Sequence, residues 1–206
     1  MNYFTLFCRH KAGVFLRRRK GAVAVEAAIT FTAFISIIAL IIDLGVTLTY
    51  QSRLERVTYT AASLLRERIA LYGERIVNNR NQPLSQANVD QLQAIANQLM
   101  PNKNLVVVVE ELQFQDASAP TTKIIENGYP KTLIASGENT GCKTNQPPLS
   151  NFMSMSPWSS RKRWLPLYRV TICMPGTESW FKRIANSVST ERTVEELIAF
   201  SIVIPR

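Results

Sequence analysis

The chain has 206 residues, 46% hydrophobic and 19% charged, with a formal net charge of +9, which is too apolar for a disordered tail. Arg9, Lys11, Arg17, Arg18, Arg19 and Lys20 stand among residues 1–21 with no acid, leaving only +3 for the rest. That distribution excludes a protein basic over its whole body, so no nucleic acid is expected as partner, and it fits a membrane topology signal. The single histidine, His10, lies in the same head, so the body offers no imidazole for Ser-His-Asp, Cys-His or histidine-metal chemistry.

Behind the basic head, Ala27–Ile42 (AAITFTAFISIIALII) is free of charge, flanked by Glu26 and Asp43. Counted from Ala22, the stretch reaches the ~20 apolar residues that span a bilayer. A buried core helix is the competing reading, but an unpatterned apolar run beside RRRKG is hard to place in a small soluble domain. A cleaved secretory signal needs small residues after the apolar core, whereas Ala22-Val23-Ala24 precedes it. The run is therefore expected to stay as an anchor, with the head in the cytoplasm and the body across the membrane. Glu26 is costly at depth in lipid unless paired. A cut between Gly21 and Ala22 would place a new α-ammonium at i to its i+4, on one helix face. Glu26 could instead meet a neighbouring helix's amine, or rest in the headgroup region.

The anchor is expected to continue as a helix. Residues 51–78 lack proline, and Leu54, Val57, Ala61, Leu64, Leu65 and Ile69 recur at helical spacing. Arg53, Arg56, Glu67 and Arg68 supply polar faces, and Gly73 ends or kinks the helix. Asn78–Pro83 is turn-rich. Ser85 reads as an N-cap, with Leu84 and Val89 placed for a hydrophobic staple. Val89, Leu92, Ile95, Ala96, Leu99 and Met100 form one stripe that Pro101 stops.

Leu105–Phe114 is β-branched and reads as a strand. Its Glu110-Glu111 pair points to opposite faces, so the two acids are expected to be structural, with at least one facing solvent. Residues 115–165 are punctuated by Gly, Pro, Ser, Asn and Thr, with short strand candidates at Lys123–Ile125 and Thr132–Ala135. So long a stretch implies a functional or disulfide-tied loop, or further structure. Leu167–Met174 is a strand, Trp180–Val188 a short helix candidate, and Ala199–Ile204 a strand-like end.

Of three cysteines, Cys8 belongs to the reducing side and is expected unpaired, while Cys142 and Cys173 lie in the expected extracytoplasmic part. Bridged, they would tie the irregular loop to the 167–174 strand and contribute about 3–4 kcal/mol from loop closure; the alternative is two free buried thiols. Arg161-Lys162-Arg163-Trp164, beside Trp158, is either a solvated loop or a contact patch for phosphates, lipid headgroups or an acidic partner. No catalytic residue, metal or cofactor is expected. The only enzymatic chemistry left open is that of carboxylates alone.

The string RRRK-Gly21, AVAV-Glu26 and the apolar run resembles the type III signal of type IV pilins and pseudopilins. The resemblance implies cleavage after Gly21 by a membrane prepilin peptidase. The continuation Asp43-Leu44-Gly45, Tyr50-Gln51-Ser52-Arg53-Leu54 and Ala61-Ala62-Ser63-Leu64-Leu65-Arg66-Glu67-Arg68 is similar to the TadE/TadF-like pseudopilins of the tight-adherence (Flp) pilus, most like TadF in length. It covers about residues 17–70, with Ala27 where Tad-type sites often carry an aromatic residue. The resemblance implies a minor, non-enzymatic pseudopilin in the bacterial inner membrane, with adhesion and biofilm formation as its context. Its implied partners are the peptidase, other pilins and pseudopilins, and the assembly platform. The alternative is a signal-anchored periplasmic binding or enzymatic domain unrelated to pili.

The expected organisation is a basic cytoplasmic leader (1–21), a transmembrane anchor helix (22–50), a periplasmic helix extension (51–78) and a small periplasmic domain (79–206). The fold class is α+β: a long N-terminal transmembrane helix extending into a periplasmic domain with a second helix and a small antiparallel sheet.

Overall fold

The computed structural model describes residues 19–67, 83–101, 103–135, 142, 146–175 and 196–205. The chain divides into two compact units, Met1–Val46 and Thr47–Arg206. One helix, α1 (Arg19–Arg66), supplies the described part of the first unit and enters the second. It gives way to a turn at Glu67. The expected extension over 68–78, Ile69, Arg68, Gly73 and the turn-rich 78–82 lie outside the described residues, as does the helix candidate 180–188.

The second unit is α+β. Helix α2 (Gln86–Leu99) begins at Ser85, whose hydroxyl accepts from the Asn88 amide while the Asn88 side chain accepts from the Ser85 amide. This reciprocal pairing is a capping box with asparagine in the third position. Leu84 and Val89, the expected staple, are both buried. The helix ends before Pro101, as the missing amide of proline dictates. Of its stripe, Val89, Leu92, Ala96 and Met100 are buried, Ile95 is half-buried, and Leu99 is exposed.

Strands β1 (Val106–Leu112), β2 (Lys131–Ile134), β5 (Leu167–Met174) and β6 (Leu197–Val203) form an antiparallel sheet in the order β2-β1-β5-β6. Val107 pairs with Ile172, and Ile172 with Ala199, so one face carries Val107, Val109, Val170, Ile172 and Ala199 into the core. Leu54, Val57, Ala61, Ala62 and Leu65 of α1, with Leu84, Val89, Leu92 and Ala96, complete that core. The strand β5 is buried on both faces: Tyr168, Val170, Ile172 and Met174 enter the core, while Arg169 and Thr171 are buried on the opposite face.

Two glutamines stitch α2 to the sheet. Gln93 donates to the Leu105 carbonyl and accepts from the Val107 amide at 2.9 Å, while Gln86 donates to the Ile134 carbonyl at 2.7 Å. Gln93 thus supplies a side-chain partner where the ladder to β2 has ended, so these backbone groups are satisfied.

The stretch 115–165 holds more structure than its composition suggests. The strand candidate Lys123–Ile125 reduces to a single bridge between Phe114 and Ile125, while the candidate at 132–135 forms β2 one residue earlier. Gly128, at φ +88°, turns the chain back toward β2 in a conformation L side chains rarely adopt. A 3₁₀ helix (Leu149–Met155) and a small hairpin, β3 (Trp158–Ser159) with β4 (Arg163–Trp164), follow. They gather around Leu112, Phe114, Leu149 and Leu167 in a second cluster.

The expectation that one of the paired glutamates faces solvent is corrected. Glu111 is fully buried, and the Glu110 side chain is only 16% exposed. They do point to opposite faces. Glu110 sits across from Arg169 and forms an ion pair with its Nε. Glu111, on the core face, accepts from the Leu84 amide (2.9 Å), the Gln113 amide (2.6 Å) and the Tyr168 hydroxyl (3.3 Å). Both acids are structural because each has its own partners; neither meets the other.

Candidate functional site

The segment of α1 within the first unit is apolar and exposed around its whole circumference. Val23, Ile29, Phe31, Phe34, Ile41 and Ile42 each expose more than 60% of their surface. Burying any one of them fully would gain about 1.5–3 kcal/mol, so water is the wrong solvent for this surface. Among the described residues it is one helix long and apolar enough to cross a membrane. Its hydroxyls are turned inward: Thr30 donates to the Glu26 carbonyl, Thr32 to Ala28 and Ser36 to Thr32, each at 2.8 Å. Such bonds to the preceding turn satisfy polar groups where no water reaches.

Gly21 and Ala22 stand within the first turn and a half of α1, whose helical residues begin at Arg19. Glu26 is exposed one turn beyond Ala22. These three residues therefore occupy one short stretch of a single helix. The other candidate residues lie in the second unit, in two separate places.

Cys142 and Cys173 are joined in a disulfide with Cα atoms 5.8 Å apart. It ties the loop after β2 to the last turn of pleat in β5, beside Val106, Val108 and Ile198. The Glu196 carboxylate lies within 4.8 Å of the sulfurs. With the sulfurs bonded to one another, that group presents no thiolate to a metal.

The basic cluster forms the tip of the β3–β4 hairpin. Arg161 and Lys162 are exposed in its turn, with Lys162 at φ 56°, whereas Arg163 is half-buried in β4. Trp158 and Trp164 pair across the hairpin edge to face, with ring centroids 5.1 Å apart. The four basic and aromatic residues at 161–164 thus do not present one surface: two face outward and two help build the hairpin.

Lys123 escaped the sequence reading. Its ammonium donates to the carbonyls of Met153 and Ser156, the latter at 2.8 Å, and lies 4.2 Å from the Trp164 ring centroid and 5.2 Å from that of Phe114. Desolvation lowers its pKa from the ordinary lysine value. The residue ties the 3₁₀ helix to the hairpin by charge-assisted bonds and cation–π contact. No sequence spacing marks it, because the carbonyls it bonds lie 30 or more positions away.

A family model for TadF, the tight adherence pilin protein F, matches residues 14–206. The chain belongs to the TadF family. No curated protein and no solved structure matches it significantly. The TadF match runs from residue 14 to residue 206, so it takes in the sheet as well as α1. Membership makes this a pilus-related protein, and with the apolar helix it makes the TadF-family chain membrane-anchored. It sets aside a tethered domain unrelated to pili and points to a structural rather than a catalytic role.

Proposed function

We propose that this chain is a minor pseudopilin of a tight-adherence pilus, cut between Gly21 and Ala22 and built into the pilus machine through α1. The observation that carries the reading is a helix exposing apolar side chains on every face in a chain that belongs to a pilin family. Such a surface is covered by lipid before assembly and by other helices after it.

The six basic residues of the head hold it in the cytoplasm, so the α+β unit lies outside the inner membrane. Oxidising conditions there suit the Cys142–Cys173 bridge. Glycine at position 21 weakens the helix where a peptidase needs extended backbone, by about 0.5–1 kcal/mol relative to alanine. Once the leader is gone, the Ala22 ammonium and the Glu26 carboxylate stand at i and i+4, where they pair within one chain or between neighbours. Pairing lowers the cost of carrying that acid in lipid and gives assembly a polar contact of defined geometry. The partners of this reading are the prepilin peptidase, other pilins and pseudopilins and the assembly platform. Adhesion and biofilm formation follow from the pilus.

Intact-mass measurement of protein extracted from membranes of its native cells tests the reading. The expected mass is that of a chain beginning at Ala22. Recovery of only the uncut chain, beginning at Met1, overturns it.

A further inference from the structure

Where α1 enters the second unit, Arg53 and Arg56 line a cavity of about 610 Å³ together with Lys103, which arrives from the segment after α2. Among the described residues no carboxylate lines it. Both arginines are exposed, and among the described residues none of the three cations is held in an ion pair. The Lys103 ammonium lies 4.4 Å from the Tyr50 ring centroid. Leu99, half exposed at the end of α2, and buried Met100 add apolar surface to the same cavity. Cations gathered without acids, next to apolar surface and a tyrosine, complement a ligand with an anionic head and an apolar body.

We infer that this cavity seats the phosphate headgroup of an anionic phospholipid, with Arg53, Arg56 and Lys103 as its cationic donors. The inference rests on the membrane-anchored reading of α1, and on its outward orientation, but not on cleavage or pilus assembly. Tyr50 follows the apolar run in sequence, and tyrosines anchor at headgroup level. From Tyr50 to Arg56 the helix rises ~9 Å, comparable with the roughly 5–8 Å headgroup layer on each side of the hydrocarbon core. Arginines close behind a span on its translocated side also run against the positive-inside bias, and a headgroup site accounts for them. Arginine's planar fork suits phosphate oxygens, and Lys103 adds a point charge.

The test uses the full chain in neutral detergent micelles, titrated with phosphatidylglycerol, phosphatidylcholine or inorganic phosphate, with bound lipid counted by native mass spectrometry. Phosphatidylglycerol is expected to bind well above phosphatidylcholine, and inorganic phosphate is expected not to displace it. K103Q, on a different element from the arginines, is expected to weaken phosphatidylglycerol about fivefold, and R53Q/R56Q/K103Q by about a hundredfold. R161Q/K162Q, which removes the same sign of charge from the hairpin tip, is expected to leave the preference intact. Equal binding of the two lipids, displacement by inorganic phosphate, or equal losses in the R161Q/K162Q variant overturn the inference. Circular dichroism of each variant without lipid separates loss of the site from loss of the fold. A wild-type chain recovered outside the membrane fraction would instead mark failure of the anchoring.

Discussion

Replacing Glu111 with alanine removes the acceptor for two buried donors at once, the Leu84 amide and the Tyr168 hydroxyl, together with the bond from Gln113. Leu84 immediately precedes the Ser85 cap of α2, so the carboxylate fixes where that helix begins. A buried donor left without an acceptor costs about 1–3 kcal/mol, and a bond to a charged group contributes about 1.5–3 kcal/mol. Gln113 is part-buried and can turn to water, so the expected loss is about 3–5 kcal/mol for Glu111→Ala, dominated by the other two donors. Glu111→Gln keeps the shape and one acceptor oxygen but sets its amide against that of Gln113. The expected loss there is about 1–2 kcal/mol. At roughly 2–4 °C per kcal/mol for a domain of this size, the alanine variant is expected to melt about 10 °C lower. Thermal unfolding of the detergent-solubilised chain, followed by near-UV circular dichroism, reads this directly, and faster hydrogen exchange at the Leu84 amide localises it. An alanine variant melting within about 2 °C of wild type would show that the buried carboxylate does not hold α2 to the sheet.

Four further outcomes are expected. Glu26→Ala should insert in the membrane like wild type yet reduce pilus production; normal piliation of that variant would remove Glu26 from the proposed role. Gly21→Leu should leave the leader attached, seen as the mass of the uncut chain in membrane extracts. Cys142→Ser should lower stability by about 3–4 kcal/mol, from opening a link with a sequence separation of 31, and the wild type should show the same loss under reduction. Lys123→Met should loosen the 3₁₀ helix and hairpin by about 1.5–3 kcal/mol, the range for a charged hydrogen bond, read as faster proteolysis near Met153 with the melting of the main sheet little changed.

Those elements with a local signature were legible in the sequence. Ser85, Leu84 and Val89 marked the start of α2 because capping is written within four residues. Leu167–Met174 stood out as a strand because Tyr168, Val170, Thr171 and Ile172 are aromatic or β-branched residues that favour a pleated backbone. The anchor was the plainest, since a helix apolar on all faces calls for a large interior or a bilayer, and this chain is small. What escaped was long-range polar pairing. Arg169 neutralises Glu110 across a ladder, and Leu84 meets Glu111 over 27 positions. Gln93 and Gln86 are the groups that fasten α2 to β1 and β2. Lys123 looked like part of a strand, yet its role depends on carbonyls and rings brought together only by the folded loop. The basic run at 161–163, adjacent in sequence, divides between the hairpin turn and a half-buried strand, a split that only the folded hairpin shows.

Thr30, Thr32 and Ser36 spend their hydroxyl protons on the carbonyls one turn before them. Seen from outside, the rod between Ala27 and Ile42 is then a cylinder of methyls and rings with nothing directional to grip. Helices of this kind pack by fitting ridges of side chains into grooves, and an offset by a whole turn restores much of that fit without stranding a hydroxyl. In the proposed pilus assembly, the carboxylate of Glu26 is then the feature that tells one such offset from the next, like a notch on otherwise similar staves.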